Sequence, residues 1–203
     1  MDTGMGQKLI KSAAFMTIII QNQGKCMETA IHSNRKQTSE EYPYHSATGS
    51  FSVDASRRAS GKYTVRKRTK YIVQNVFSYC PVTDITIPDN VTGIGDKAFS
   101  RTGIKKITVS KKVKYIGTQA IDSCTSLKNV TIKDGVKIIG EKAFYGCTSL
   151  KSVTVPKSAR TIGIKAFGYD SKGKIKGFKL KGYKGSEAQK YAKKNKMKLT
   201  ELK

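Results

Sequence analysis

The chain has 203 residues, with 39 Lys or Arg against 14 Asp or Glu, giving a formal net charge of +25 at pH 7. This excess favours an anionic partner, either an acidic polymer or nucleic acid. The four cysteines include no Cys-x-x-Cys pair, which excludes the common zinc motifs.

The first segment has the pattern of a secretory signal. Lys8 and Lys11 precede a short apolar run that ends at Ile20, too short for a hydrocarbon core of ~30 Å. A basic start followed by such a run is typical of a signal peptide, so we predict one over residues 1–26, removed together with Cys26. An ordinary hydrophobic strand or cap segment, or a start placed too far upstream, is the alternative.

The next segment, 27–62, is rich in Ser, Thr, Lys, Arg and Glu and poor in large apolar residues. It cannot bury enough surface to offset the entropy of ordering. We predict a flexible linker, or an N-terminal cap in which Phe51 to Val53 pair with the first coil. No later hydrophobic stretch is long enough to span a membrane, so we expect the product to be released, or held at the surface without covalent attachment.

From residue 63 onward the sequence repeats every 22 or 23 residues. Each copy opens with an apolar–Thr–apolar triplet, which predicts a short half-buried strand, and continues into Ile-Gly-x-x-Ala-Phe. A period of this length indicates a leucine-rich repeat solenoid with short parallel strands. A degenerate first copy, with Val73 in the glycine position, covers 63–84. The predicted core comprises Ile85, Ile87, Ile94, Phe99, Ile107, Val109, Ile116, Val130, Ile132, Ile139, Phe144, Val153, Val155, Ile162 and Phe167.

The repeats occupy 63–182, and a C-terminal cap follows over 183–203. Phe178 to Leu180 has the pattern of one more strand. Ser186 can N-cap a short helix that buries Ala188, Tyr191 and Ala192. Met197 to Leu199 would form a last strand and close the stack.

These residues carry a family resemblance. The unit Ile-x-Ile-Pro-x-x-Val-x-x-Ile-Gly-x-x-Ala-Phe, with Cys three residues after Phe, resembles the Treponema-type, BspA-like leucine-rich repeat, and the ending from Gly182 to Lys194 is similar to that family's usual close. The second copy departs from the pattern at Arg101 to Gly103, where the cysteine position is lost. The resemblance implies secreted or surface proteins of bacteria that adhere to host or matrix molecules.

Catalytic chemistry has no support in the repeats. Both histidines, His32 and His45, precede them, so neither a Ser–His nor a Cys–His arrangement can form there. The acidic residues are scattered and expected on the solvent side, among them Asp96 and Asp122, without the opposed pair of a glycosidase. We therefore predict no enzyme, no cofactor and no metal site. Cys80, Cys124 and Cys147 share one repeat position and are expected to be buried thiols; a disulfide between the last two is geometrically possible.

Because equal repeat positions stack, the lysines should form columns. One column flanks the strand, a second follows it (Lys70, Lys114, Lys137 and Arg160), and a third contains Lys97, Lys142 and Lys165. The predicted ligand-binding residues are the column before the strand and the outward threonine ladder: Lys105, Lys128, Lys151, Thr86, Thr108, Thr131 and Thr154.

The favoured function is a non-enzymatic, secreted or cell-surface monomer that adheres to a host or matrix protein or to an acidic surface glycan. Repeat duplication alone can also copy a solubilising lysine. A structural spacer domain and a basic polyanion or nucleic-acid binder therefore remain as alternatives. Nucleic acid ranks lower because the aromatic residues lie mainly at core positions.

Overall fold

A computed structural model describes residues 60–65, 67 and 69–203. The predicted signal peptide at 1–26 therefore lies outside the described residues. So do the segment 27–59 with both histidines, the predicted pairing of Phe51 to Val53 with the first coil, and Cys26.

The described chain winds into a stack of coils, each containing two short strands and a return segment of turns. The alternating β-branched triplets form the first strands, as expected from their period of two. These first strands are β1 (Gly61–Thr64), β3 (Val82–Thr86), β5 (Lys106–Val109), β7 (Asn129–Ile132) and β9 (Ser152–Thr154). The second strands are β2 (Tyr71–Ile72), β4 (Gly93–Ile94), β6 (Tyr115–Ile116), β8 (Ile138–Ile139) and β10 (Thr161–Ile162).

Equivalent residues of successive coils pair in parallel, which confirms the predicted solenoid. Tyr63 pairs with Ile85, so the degenerate first copy stacks on the second as predicted. The second strands form one continuous five-stranded sheet from β2 to β10. The first strands form a four-stranded sheet that ends at β7, and β9 belongs to a separate three-stranded sheet. The strand side therefore has a break in hydrogen bonding between β7 and β9.

The core contains a column of aromatic rings. Phe77 stacks on Phe99 at 5.2 Å between ring centroids, and Phe144 stacks on Phe167 at 5.0 Å. Ile121, fully buried, occupies the same position in the coil between the two pairs. Of the fifteen predicted core residues, thirteen are buried. Val130 and Ile162 are partly buried and pack against the same core.

The repeated glycine permits the close approach of adjacent coils. A Cβ on Gly163 would lie 2.4 Å from the backbone nitrogen of Glu141, and one on Gly95 would lie 2.7 Å from that of Gln74. Among the described residues no earlier coil lies beneath the first copy, so Val73 is tolerated there. A repeated left-handed position falls elsewhere, at Asn75, Lys97, Gln119, Lys142 and Lys165, whose φ angles are 52–59°.

The C-terminal cap consists of a hairpin, two strands and a helix. The hairpin, β11 (Tyr169–Asp170) with β12 (Gly173–Lys174), was not predicted. The strand β13 (Lys179–Tyr183) lies between β9 and β14 (Leu199–Leu202), so the last strand begins where the predicted one ends. The helix α1 (Glu187–Lys194) buries Ala188, Tyr191 and Ala192, as predicted.

Ser186 occupies the N-cap position of α1, but its side chain makes no capping hydrogen bond. Instead, its hydroxyl donates to the carbonyl oxygen of Tyr183. The hydroxyl therefore closes the turn before the helix, and the predicted side-chain cap is wrong.

Candidate binding face

The outward positions of the first strands and of the C-terminal strands form one surface, which we call the strand face. Side chains alternate between the two sides of a strand, and the register aligns the outward ones in rows. Thr64 pairs with Thr86, and Thr108 pairs with Thr131. The outward positions are Lys62, Thr64, Asp84, Thr86, Lys106, Thr108, Asn129, Thr131, Ser152, Thr154, Lys179, Lys181, Tyr183, Thr200 and Leu202.

The threonine ladder extends across the strand face with one interruption. Thr86 and Thr131 are exposed, and Thr108 and Thr154 are half-buried. Because β7 and β9 are not paired, Thr154 does not align with Thr131 through a hydrogen-bonded register. Thr154 pairs instead with Lys181, which pairs with Thr200. The ladder thus comprises two segments on either side of the break.

The predicted lysine column lies beside this ladder. The backbone nitrogen of Lys128 donates to the carbonyl oxygen of Lys105 at 2.9 Å, which places these two residues in adjacent coils. The carbonyl of Lys151 accepts from the backbone of Lys179 at 2.9 Å, so the column continues on the other side of the break. All three predicted lysines are exposed. Among the described residues, their side chains have no ion-pair partner.

Three further lysines of this face were not predicted from the sequence. Lys106, Lys179 and Lys181 occupy outward strand positions, and the last two belong to the C-terminal strand β13. The triplet pattern indicated the strand at 178–180, but not that it would join β9 in register. With Lys62 and the column, the described strand face contains seven lysines and one acidic residue, Asp84.

Neighbouring lysines of a column are about one strand spacing apart, ~5 Å. At that separation two unit charges in water repel by roughly 0.8 kcal/mol before screening by salt. This repulsion is small enough for the fold to tolerate. An oxyanion placed between two such ammonium groups removes it and accepts hydrogen bonds from both.

The second column is also ordered by the backbone. Lys114 donates from its backbone nitrogen to Thr92, Lys137 to Lys114, and Arg160 to Lys137, each at 2.8 Å. This column follows the turn after the first strand and lies outside the threonine ladder. It offers a matched set of charges for comparison with the strand face.

Two acidic residues of the repeats, Asp96 and Asp122, form hydrogen bonds within the fold. Asp122 is buried, with 6% of its surface exposed, so its predicted place on the solvent side is wrong. One of its carboxylate oxygens accepts from the hydroxyl of Ser123 at 3.1 Å. Asp96 accepts from the backbone of Thr118 at 2.8 Å and from the hydroxyl of Tyr115 at 3.1 Å, and so joins two coils.

Two of the repeat cysteines are free buried thiols, as expected. Cys124 donates to the carbonyl of Phe99 at 3.0 Å, and Cys147 donates to that of Ile121 at 3.1 Å. In the copy that lacks cysteine, Thr102 donates to the same carbonyl of Phe99 at 3.0 Å. Each side chain thus satisfies a buried carbonyl.

The third repeat cysteine differs. Cys80 is disulfide-bonded, so it is not the free thiol that was predicted. Cys124 and Cys147 are both free, so the geometrically possible disulfide between them does not form.

Over the residues that the structure describes, no group of three or more His, Cys, Asp or Glu side chains is placed to hold a metal ion. Within the same residues, no helix is long and apolar enough to cross a membrane.

The parallel stacking, the 22- to 23-residue coils and the strand face define a repeat solenoid. The model of the BspA type leucine-rich repeat region matches residues 61–197 in six copies. The chain belongs to the BspA-type leucine-rich repeat family.

Three solved structures are similar to this chain. A leucine-rich repeat protein from Bacteroides ovatus is 26% identical, with a TM-score of 0.49, over 60% of this chain and 33% of that one. A leucine rich cell surface protein from Faecalibacterium prausnitzii is 27% identical, with a TM-score of 0.39, over 53% and 38%. A leucine-rich repeat protein from Eubacterium ventriosum is 24% identical, with a TM-score of 0.45, over 54% and 34%.

The match spans between 33% and 38% of the length of each of these proteins. The search of curated proteins gave no match.

Proposed function

We propose that this protein is a non-catalytic adhesion module, secreted or held at the cell surface, that binds an acidic surface glycan or an acidic host or matrix protein through the strand face. The observation that carries the proposal is the charge of that face, seven lysines against Asp84. Binding proteins of repeat architecture commonly use such extended surfaces. The signal-like residues 1–26 and the family support a location outside the cell.

The threonine ladder suits the same partner. Its hydroxyls can donate and accept hydrogen bonds, and the lysines beside it supply positive charge. Such a surface matches a ligand with many hydroxyl and oxyanion groups along its length. Binding should release condensed counterions and weaken as salt rises, as it does for other polyanions.

A charge-matched pair of variants tests the proposal. The first variant carries Lys105→Glu, Lys128→Glu and Lys151→Glu. The control carries Lys70→Glu, Lys114→Glu and Lys137→Glu, which changes the net charge equally on the second column. We expect the first variant to elute from immobilised heparin at a clearly lower salt concentration than the control, and both to keep the melting temperature of the wild type. Equal elution of the two variants would show that only net charge matters.

Substitutions in the threonine ladder distinguish an adhesion module from a structural spacer. Replacing Thr86, Thr131 and Thr154 with alanine removes hydroxyls without changing charge. An adhesion module should lose affinity for its ligand, whereas a spacer should be unaffected.

The nucleic-acid alternative is less well supported. Among the described residues the exposed large hydrophobic side chains are Tyr79 and Ile164, and neither lies on the strand face. Single-stranded nucleic acids usually need aromatic stacking platforms. A mature N-terminus near residue 27, found by sequencing protein from culture medium, would exclude an intracellular role.

A further inference from the structure

The C-terminal cap brings together lysines from three separate segments, on a surface distinct from the strand face. Between residues 165 and 198 the sequence has twelve lysines and two acidic residues. Two of these lysines, Lys179 and Lys181, belong to the strand face. Five others lie on the hairpin, on the return turn before it, and at the end of α1. We call these five the cap cluster: Lys165, Lys172, Lys174, Lys194 and Lys196.

Hydrogen bonds between side chains and backbone hold these segments together. The hydroxyl of Tyr169 in the hairpin donates to the side-chain oxygen of Asn195 at 2.9 Å. Asn195 follows α1 directly and lies between Lys194 and Lys196. The ammonium of Lys174 donates to the backbone carbonyl of Lys196 at 3.3 Å, which ties the hairpin to the end of the helix.

The remaining two lysines are attached to the same hairpin. The ammonium of Lys165 lies over the ring of Tyr169, 6.0 Å from its centroid. Lys172 occupies the hairpin turn, where its backbone nitrogen donates to the carboxylate of Asp170 at 2.8 Å. All five lysines are exposed. The hydrogen bonds between the hairpin and the end of the helix fix the backbone of these segments before a ligand binds. This lowers the entropy that binding would cost.

The acidic residues of this region neutralise the cluster only in part, since within the described chain Asp170 is the one acidic residue beside its five lysines. Glu187 pairs with Lys190 at 3.2 Å, one turn further along the helix and outside the cluster. Asp170 accepts the backbone hydrogen bond from Lys172. Attraction to the carboxyl end of the helix gives Lys194 a structural role. It does not explain Lys165, Lys172 or Lys174.

The composition of the cluster indicates its ligand chemistry. Arginine suits planar carboxylates because it donates two parallel hydrogen bonds, whereas lysine acts as a point charge with three rotatable donors. No arginine follows Arg160 in the sequence. We propose that the cap cluster is a second binding surface, for a polymer of tetrahedral oxyanions, phosphate or sulfate esters. With the strand face, this gives the protein two separate anion-binding surfaces.

Two variants with the same change of charge test the inference. The cap variant replaces all five cluster lysines with glutamine, which the fold can accept at Lys165 because Gln119 has the same left-handed conformation, with φ of 53°. The face variant replaces Lys105, Lys106, Lys128, Lys151 and Lys179 with glutamine. Thermal unfolding of the face variant should match the wild type, since its side chains are exposed. The cap variant should unfold at a slightly lower temperature, because it loses the exposed hydrogen bond from Lys174 and the attraction of Lys194 to the helix end.

The measurement is calorimetric titration with a short inorganic polyphosphate. A parallel titration uses a heparin oligosaccharide, which carries sulfate esters. We expect the cap variant to bind one oligomer fewer per chain than the wild type, and the face variant to retain the cap site. The site is lost from the titration because its affinity falls roughly tenfold or more, and the remaining binding should depend less steeply on salt. The oligomer that binds more tightly shows whether the cap cluster prefers phosphate or sulfate groups.

Three results would overturn the inference. The first is a cap variant with wild-type stoichiometry and affinity. The second is equal loss of the cap site in both variants, which would indicate net charge only. The third is polyglutamate or anionic lipid vesicles binding the cap as tightly as polyphosphate. Failure of the proposed function gives a different result, a face variant that keeps every site of the wild type.

Discussion

The hydroxyl of Tyr191 takes the place of a further coil for Phe167. In the repeats, the backbone nitrogen of each residue at the phenylalanine position donates to the next coil, as Phe144 does to Ala166 at 2.9 Å. Phe167 has no next coil, and it donates instead to the hydroxyl of Tyr191 at 3.1 Å. The same hydroxyl donates back to the carbonyl of Phe167 at 3.1 Å. One side chain of the cap thus satisfies both backbone groups of a buried residue.

This arrangement predicts the effect of Tyr191→Phe. The substitution keeps the ring, which contacts Phe167 edge-on at 6.2 Å, but leaves a buried donor and a buried acceptor unsatisfied. We expect a loss of about 1–3 kcal/mol in the free energy of unfolding, measured by urea denaturation. The control Tyr145→Phe removes a half-buried hydroxyl with no hydrogen-bond partner among the described residues. It should change stability by less than about 0.5 kcal/mol, and equal effects of the two substitutions would contradict the capping role.

The repeated glycine predicts a second stability effect. A Cβ on Gly140 would lie 2.6 Å from the carbonyl carbon of Gly117 and from the backbone nitrogen of Thr118. These atoms cannot move without separating the coils, so Gly140→Ala should destabilise by at least about 1–3 kcal/mol. At Gly103 the nearest atom would be 3.3 Å away, and Gly103→Ala should cost clearly less. If thermal unfolding shows both substitutions to be equally mild, close coil approach is not the reason for the glycine.

Most of the fold could be predicted from the sequence because the repeat makes each coil a neighbour of its own copy. The apolar triplets, the stacked phenylalanines and the helix buried through Tyr191 follow from short patterns. The break between β7 and β9 could not be predicted, since Val130 and Val153 occupy the same place in the repeat. No pattern in the two triplets distinguishes them, and the pairing of the cap strand β13 with β9 has no local pattern either.

The repeat also allowed part of the candidate site, its lysine column, to be predicted from the sequence. Lys105 and Lys128 belong to the repeat, so their stacking could be read from the period. Lys179 and Lys181 join the face only because β13 lies between β9 and β14. The cap cluster depends on the bond between Tyr169 and Asn195, 26 residues apart in the chain, which no local pattern indicates.

The aromatic column predicts the largest effect of a single substitution. Phe144 is 1% exposed and stacks on Phe167 at 5.0 Å. Phe144→Ala should lower the free energy of unfolding by ~3–5 kcal/mol, because the rigid coils above and below cannot collapse into the cavity. Tyr79→Ala is a suitable control, since its ring is 58% exposed. A loss below about 1 kcal/mol for Phe144→Ala would show that the core register is wrong.

The buried thiols predict a loss of stability at alkaline pH. Burial raises the pKa of Cys124 from 9.0 to about 11, and it raises the pKa of Cys147 well above 9.0. Below about pH 9 both thiols are protonated in the folded and the unfolded chain, so their contribution to stability is constant. As the pH rises further, the unfolded chain ionises first, and stability falls by up to ~1.4 kcal/mol per pH unit for each thiol.

Serine at both positions tests this dependence, because a hydroxyl can donate to the same carbonyls without ionising in this range. Urea denaturation at pH 8, 9, 10 and 11 should give a shallower decline for the double variant than for the wild type. All other ionisable groups are the same in both proteins, so the comparison isolates the two thiols. Parallel declines would mean that the two thiols are not protected from ionisation by the fold.

The left-handed turn at Lys142 predicts that glycine and valine at this position differ in their effect on stability. Its φ angle of 52° is unfavourable for residues with a Cβ, by roughly 1–2 kcal/mol, and most unfavourable for β-branched ones. Its ion pair with Glu141 at 3.1 Å is about two-fifths exposed and contributes little. We therefore expect Lys142→Val to destabilise by about 1–2 kcal/mol. Lys142→Gly should remain within about 0.5 kcal/mol of the wild type, because relief of strain offsets the added entropy of the unfolded chain. Thermal unfolding that ranks glycine below valine would show that this position does not adopt the left-handed conformation.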